Sequence, residues 1–333
     1  MSAVRAGEAR ENRVGVRAGE ARKIRTRQAA TSGLPVARNL LASSGRDPRA
    51  VQPEKDFLLE VPDYAYDGEA ILLRFGARGA KSVIFELGGK RLRIAGPSGL
   101  SGPSGRQSGL FEALLPVALD AAAPNLPLSL KVVWEGGREE EMRAPLPLKK
   151  RGYPVQKLTV AGKFVNPPPE MAEKIKRDRA EIRAAVRRTS GARHWRLPMV
   201  RPVPGEVTSL YGSRRVFNGA PRSPHKGTDF DAAEGEPVRT IEAGEVVLAS
   251  EHYYGGNTIL VDHGLGVVSA YLHLSAFKAR PGQKVERGET IGLAGSTGRV
   301  TGPHLHLSFY VLGESVNAGT CLEPAPGAAV GKP

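Results

Sequence analysis

Six of the seven histidines of this chain fall between residues 225 and 306, several of them at spacings that suit a metal site. His225-Lys-Gly-Thr-Asp229 offers an imidazole and a carboxylate four residues apart, and His304-Leu-His306 offers two imidazoles two apart. On a strand, a step of two sends both rings to one face, so His304 and His306 can look into one cleft. The step of four cannot be fully extended, because about 13 Å between Cα atoms is too far for a His and an Asp to share an ion. Pro224, Gly227 and Thr228 disfavour a helix, so the chain is expected to bend, and Gly227 is where a bend costs least. Two imidazoles and one carboxylate leave a fourth position open for water, the plan of catalytic zinc, and the same donors suit a non-haem iron. The single Cys321 excludes any zinc site built on two or more thiolates. A zinc ion held this way lowers the pKa of its water to about 7 and polarises a carbonyl, which is what amide hydrolysis needs. The surplus histidines favour hydrolysis over oxygen chemistry. One ring of His304 and His306 is left after ligation, and Tyr271-Leu-His273-Leu274 supplies another at the end of a strand. Two unligated imidazoles suit general base work and stabilisation of an oxyanion.

The elements that must position these groups are β-strands. From residue 205 onward, β-branched runs alternate with glycines: Val238–Ile241, Gly244–Leu248, Asn257–Val261, Gly266–Tyr271 and His306–Val311. No helical period crosses them, so residues 201–320 are expected to form an antiparallel β domain. Residues 53–150 carry further short apolar runs, Phe57–Val61, Ala70–Phe75, Ser82–Leu87, Leu92–Ile94 and Leu128–Trp134, spaced like the strands of an Ig-like β-sandwich. The insert from Gly96 to Gly105 repeats Gly-Pro-Ser-Gly and reads as a flexible loop. Between the two domains, residues 151–200 are a basic linker with a helix predicted over about 168–188. Prolines stand at its entry, and Met171, Ile175, Ile182 and Val186 form one apolar stripe.

Charge separates these parts. The 333 residues hold 48 Lys and Arg against 34 Asp and Glu, a net +14, but the excess is local: +7 in residues 1–50, −2 in 51–144, +10 in 145–200 and −1 in 201–333. Residues 1–52 contain Val-Arg-Ala-Gly-Glu-Ala-Arg twice at a period of 12 and have too few large apolar groups to offset ordering entropy, so they read as a disordered tail. Residues 321–333 read as a second flexible tail. No base-reading motif or aromatic platform accompanies the basic stretches, which argues against specific nucleic-acid binding. They offer electrostatic contact with an anionic envelope instead. No apolar run is long enough for a transmembrane helix, and no signal peptide is visible.

Taken together, the phrases resemble the lysostaphin-type, LytM-like (beta-lytic) zinc metallopeptidases, whose signature is His-x-x-x-Asp, then Tyr-x-His-Leu, then His-x-His. Flanking phrases, Thr208–Arg215, Phe217-Asn-Gly219, Gly295–Gly298 and Thr301-Gly-Pro-His304, are similar to the family as well, and the match spans roughly Pro198 to Val316. Val316-Asn317 departs from it, being followed by Ala-Gly-Thr-Cys. The resemblance implies one zinc ion on His225, Asp229 and His306, with His273 and His304 catalytic. Asn218, Arg222 and Tyr271 are candidate substrate contacts. It implies a mainly β enzyme of the cell envelope or periplasm that hydrolyses peptide cross-links of peptidoglycan through its stem peptides, by attack of a zinc-bound water, with D,D-endopeptidase the preferred specificity. The competing reading is a catalytically silent LytM-like protein that binds wall or activates an amidase. Silent relatives usually lack a ligand, and this chain keeps all of them. A third reading makes the β domain a docking module and the amino-terminal half the working part. His263, His252 and His194 are expected to be turn, loop and linker residues.

Overall fold

Alternation of apolar and polar residues builds the amino-terminal half. The computed structural model describes residues 58–96 and 109–324; the duplicated segment, the Gly-Pro-Ser-Gly insert and the chain beyond 324 lie outside them. Strands Leu58–Glu60, Ala70–Gly76 and Leu110–Pro116 form one antiparallel sheet. A five-stranded sheet runs in the order Ala65–Tyr66, Glu139–Lys149, Asn125–Trp134, Ala80–Leu87, Lys90–Ala95. The inward residues of both sheets, among them Leu73, Phe75, Val83, Phe85, Phe111 and Val132, make one apolar core. Each buried aliphatic or aromatic side chain there contributes about 1.5–3 kcal/mol of transfer free energy.

Two of these strands, Leu110–Pro116 and Glu139–Lys149, are not foreshadowed by the apolar pattern. The first is made of helix formers and the second carries three glutamates and two prolines. Leu110–Pro116 buries both of its faces. Ala113 and Leu115 enter the amino-terminal core, while Leu114 joins the core of the following β region. Leu265 of that second region reaches back into the first core, so the two are knitted by apolar contact. Glu112 of the same strand pairs with Arg193 and, at 2.7 Å, with Arg74.

The carboxy-terminal region is built on an antiparallel sheet. Its main path is Val207–Ser209, Thr228–Phe230, Leu305–Val311, Val267–Leu274, Gly256–Gly264, Gly244–His252 and Lys284–Val285. Glu314–Val316 pairs with Leu305–Val311, so the last strand forms, and Asn317 then caps the turn Ala318–Thr320 by accepting from the Gly319 N–H at 3.0 Å. A smaller sheet of Pro237–Arg239, Thr290–Leu293 and Ala276–Phe277 closes the core on Val238, Ile241, Tyr271 and Ile291.

The predicted helix is present as a 3-10 turn, Pro169–Met171, followed by the α-helix Ala172–Val186. Its stripe docks on the back of the main sheet, where Ile182, Ala185 and Val186 meet Leu260, Val268 and Ala270. Met171 falls in the entry turn. A buried Asp178 accepts from the backbone N–H of Tyr253, at 2.6 Å, and from Lys174, at 3.2 Å. His252 is not a loop residue: it ends strand Gly244–His252, is buried, and meets Glu181 of the helix at 3.2 Å. Among the described residues, no helix is long and apolar enough to cross a membrane.

Candidate metal centre and active-site cleft

Sheet register brings the metal-ligand types together. Asp229 lies in Thr228–Phe230 directly opposite His306 of Leu305–Val311, and cross-strand partners of this kind have Cβ atoms about 5 Å apart. His225 precedes its strand, and the bend returns its ring to Asp229. The Nε2 of His225 is 3.0 Å from Asp229 Oδ1 and 3.0 Å from His306 Nδ1, and the latter is 2.7 Å from Asp229 Oδ1. These three donor atoms form a triangle, as a shared ion requires. Ligand atoms around tetrahedral zinc are about 3.3 Å apart, so the triangle needs to open by only a few tenths of an ångström.

Gly227 is needed here for a reason other than the bend. Its φ is not positive, but a Cβ there would meet His306 Nε2 at 2.4 Å, His306 Cε1 at 2.6 Å and the Leu307 carbonyl at 2.6 Å. The residue is small so that the His306 ring can lie against the backbone.

The outer nitrogens are all engaged, and their partners fix which nitrogen faces inward. His225 Nδ1 is 3.1 Å from the Leu210 carbonyl and 3.0 Å from Ser209 Oγ, and the Ser209 hydroxyl in turn donates to Gln156 at 2.9 Å. A carbonyl can only accept, so Nδ1 carries the proton and Nε2 is left with its lone pair. His306 Nε2 is 2.8 Å from the Ser308 hydroxyl, which can donate or accept and so suits either tautomer. Arg215 holds the other carboxylate oxygen, Asp229 Oδ2, at 3.1 Å. Burial pushes His225 down to about 4, against the opposing pull of the Asp229 carboxylate on the charged ring. Burial alone would raise the Asp229 carboxyl, but the neighbouring rings of His306 and His225 hold it well below the usual carboxylate range. A neutral imidazole beside an ionised carboxylate is the state in which both can be ligands.

His273 and His304 stand next to this triangle, their ring centroids 5.0 Å apart, and His273 is 5.9 Å from His306. His273 Nδ1 donates to the Thr297 carbonyl at 2.9 Å and His304 Nδ1 to the Gly302 carbonyl at 2.9 Å, which turns Nε2 of each ring away from these anchors. Burial, reinforced by His306 and His304, pushes His273 down to about 3. His273 also has φ of 65°, a left-handed conformation rare for a side chain of this size and common at functional sites.

Residues 223–318 match the model of peptidase family M23. The chain carries an M23 peptidase domain. Over 113 residues it is 47% identical to the peptidoglycan DD-endopeptidase ShyA of Vibrio cholerae serotype O1, an alignment that covers 34% of this chain and 26% of that protein. Over 102 residues it is 41% identical to the DD-carboxypeptidase/endopeptidase Mpg of Neisseria meningitidis serogroup B, covering 31% of this chain and 24% of that one. The chain thus spans about a quarter of the length of these curated relatives. A crystal structure described as a peptidase M23 from Pseudomonas aeruginosa superposes with a TM-score of 0.57 at 27% identity, covering 77% of this chain and 94% of that one.

The cleft of the M23 domain has a second wall contributed from outside the family match. Strand Val155–Leu158 pairs in parallel with Arg214–Phe217, and Leu158 and Val160 line the cavity that also exposes Asp229, His273 and His304. Asn218 fixes this strap rather than facing open cleft: its side-chain oxygen accepts from the Val160 N–H at 3.0 Å and its amide donates to the Val160 carbonyl at 2.9 Å. Tyr271 is a correction. It is fully buried, and its hydroxyl accepts from the Ile241 N–H at 2.8 Å and meets Ser269 at 2.9 Å, so it belongs to the core and not to the cleft. Arg222 is exposed, and its backbone N–H donates to the carbonyl of Arg215 at 2.8 Å. His263 is in no turn at the surface. It ends inside the M23 domain with Nδ1 on the Ala243 carbonyl at 2.8 Å and Nε2 on Ser269 at 2.7 Å, and burial pushes it down to about 4. Sequence reasoning passed over Arg215, Arg299, Ser209 and Ser308. Ser209 and Arg215 lie in the family-like phrase Thr208–Arg215, but nothing local assigns any of the four a role, because each acquires it from the fold that places its partner.

Proposed function

We propose that this chain is a zinc metalloendopeptidase that hydrolyses peptide cross-links of peptidoglycan, with D,D-endopeptidase specificity, and that it acts in the cell envelope. The observation that carries the reading is the convergence of His225 Nε2, His306 Nδ1 and Asp229 Oδ1 within 2.7–3.0 Å, each held from behind by its own partner. The donor set and its protonation fit one zinc ion, which when bound supplies a Lewis acid that acidifies a water and polarises a carbonyl. His273, neutral and anchored through Nδ1, presents an Nε2 that can take a proton from a water in the cleft. His304, anchored on Gly302, presents an Nε2 that, once protonated, can donate to the oxygen of the scissile amide as it gains charge. Leu158 and Val160 add apolar surface to the wall of the cavity that both rings line. The names of the curated relatives support D,D specificity.

The two amino-terminal sheets support an Ig-like sandwich over residues 53–150, followed by a linker to 200 and the peptidase from 201 to 320. The silent alternative is disfavoured by the complete set of five residues. The test combines zinc titration with digestion of purified peptidoglycan, with and without chelator, using wild type and His306→Ala. Chelation and the substitution are expected to abolish the release of new peptide amines. Stoichiometric zinc binding without release of amines from any cross-linked wall would leave the wall-binding reading in its place.

A further inference from the structure

The cleft carries more positive charge than the metal ligands require. Arg215 has a visible task in holding Asp229 Oδ2, yet its buried Nε has no hydrogen-bond acceptor. Arg299 lines the same cavity, and its guanidinium lies over the rings of Tyr254, at 4.7 Å, and Phe217, at 5.2 Å. Among the described residues no carboxylate pairs with it. Stacking on aromatic rings occupies the π-face of a guanidinium and leaves its in-plane N–H donors free. Its environment is unfavourable for a cation: burial lowers its proton affinity, and the charges of Arg215 and Arg222 lower it further. Arg215 and Arg299 thus line one cavity, and the exposed Arg222 is close enough for its charge to act on Arg299. Asp229, the carboxylate that lines the same cavity, is already held by Arg215, and Asp231 lines the neighbouring cavity, whose lining does not include Arg299. Unbalanced, half-buried positive charge beside a hydrolytic centre is the counterpart of an anion that arrives with the substrate.

We propose that Arg299, supported by Arg215 and Arg222, is a carboxylate subsite that requires a free carboxylate on the residue whose amine departs when the amide is cut. The inference rests on the peptidase reading above and sharpens it. A D-alanyl to diaminopimelate cross-link is made through the amine of a D-centre that keeps its own carboxylate, so an anion stands one carbon from the scissile nitrogen. A terminal D-alanine presents the same arrangement. In a glycine bridge the corresponding carboxyl is tied up in the next amide and carries no charge. The subsite therefore admits both cross-linked stems and stems ending in D-alanyl-D-alanine, and rejects neutral bridges.

The experiment compares kcat/KM of the zinc-loaded protein on two matched pairs: a cross-linked muropeptide dimer with a carboxylate or a carboxamide at the acceptor D-centre, and a pentapeptide ending in D-alanine or its carboxamide. Wild type is expected to prefer the carboxylate by on the order of 10²-fold, since a site built to bond a group rejects the analogue that lacks it. Arg299→Met, which keeps the packing on Tyr254 and Phe217, is expected to shrink the ratio to a few-fold by losing the carboxylate substrate only. Arg222→Gln, at an exposed position, is expected to shrink it less and carries the test if Arg299→Met does not fold. Binding of the cleaved carboxylate product to metal-free protein supplies a readout independent of turnover, and it is expected to weaken in both variants. Equal cleavage of both members of each pair by wild type, or an unchanged ratio in the variants, overturns the subsite while leaving the peptidase reading intact. If wild type cuts neither carboxylate substrate, the peptidase reading falls and the subsite with it.

Discussion

Gly227→Ala is the substitution that best separates packing at the metal centre from its chemistry, because it replaces no ligand and changes no charge. The added methyl would lie 2.4 Å from His306 Nε2 and 2.6 Å from both His306 Cε1 and the Leu307 carbonyl, whereas ordinary contact begins near 3.4 Å. Relief requires a shift of roughly 1 Å, and with a strand carbonyl on one side the ring is the partner that gives way. Overpacking of this kind costs about 1–3 kcal/mol. A displaced ring also loses the 2.8 Å contact with Ser308 and the alignment of Nδ1 with Asp229, so zinc affinity is expected to fall by about 10–100-fold, the usual cost of disturbing an outer-shell contact. The control is Gly219→Ala. Gly219 has φ of 85° and nothing within 4 Å of the place a methyl would occupy, so alanine there costs about 1–2 kcal/mol of backbone strain without reaching the metal. Competition with a chromophoric chelator gives the zinc affinity of each variant, and thermal unfolding of the metal-free proteins gives their stability. Wild-type zinc affinity in Gly227→Ala, or equal losses in both variants, would refute the claim that the close approach of His306 is what demands glycine.

Two further outcomes follow from partners of the buried histidines. Ser308→Ala removes the hydroxyl 2.8 Å from His306 Nε2 and is expected to weaken zinc binding about 10–100-fold; an unchanged dissociation constant in chelator competition would show that the hydroxyl does not orient the ring. His263, pushed down to about 4 by burial against about 6.5 in an unfolded chain, binds its proton more readily when unfolded. Its contribution is therefore whole above pH 6.5 and is lost as the pH falls towards 4, by about 3 kcal/mol in all. Denaturant midpoints of wild type and His263→Gln measured from pH 7.5 to 4.5 should converge as the pH falls, and parallel curves would sink the assignment.

What the sequence displays about the site depends on chain distance. His304 and His306 are readable because alternation along a strand is a local rule and the strand is regular there. Tyr271 and His273 obey the same spacing and yet part company, because the positive φ at His273 breaks the alternation and turns its ring to the cleft while Tyr271 stays in the core. No composition signal marks that break. Asp229 facing His306 is a register between residues 77 positions apart in the chain, and only the ligand types hint at it. The strap is harder still, since Val155–Leu158 is held in place by pairing with Arg214–Phe217, a parallel contact with no local signature. In the amino-terminal half the strands with β-branched and aromatic runs are legible. Leu110–Pro116 and Glu139–Lys149 are not, because burial on both faces and neighbouring strands override weak propensity. Pro145 and Pro147 survive in the latter because Ala65–Tyr66 covers that edge only at Leu148 and Lys149.

Charge shows the same division of scale. The net +14 divides into a basic first segment, a basic linker and a peptidase half at −1, which removes any argument from bulk charge about the cleft. Yet the field at a bound substrate is not set by the sum over the domain. Screening confines exposed charges to about 8–10 Å, while charges that are partly buried and unpaired act over the short distances of a cavity with little attenuation. Arg299, stacked and among the described residues without a carboxylate partner, and Arg215, shared between Asp229 and the cavity, therefore count for more in the cavity than the net −1 of the whole half. If Arg299 is the carboxylate subsite proposed above, substrate choice in a nearly neutral domain rests on which few charges have been left without partners, and those can be found only once the side chains are placed.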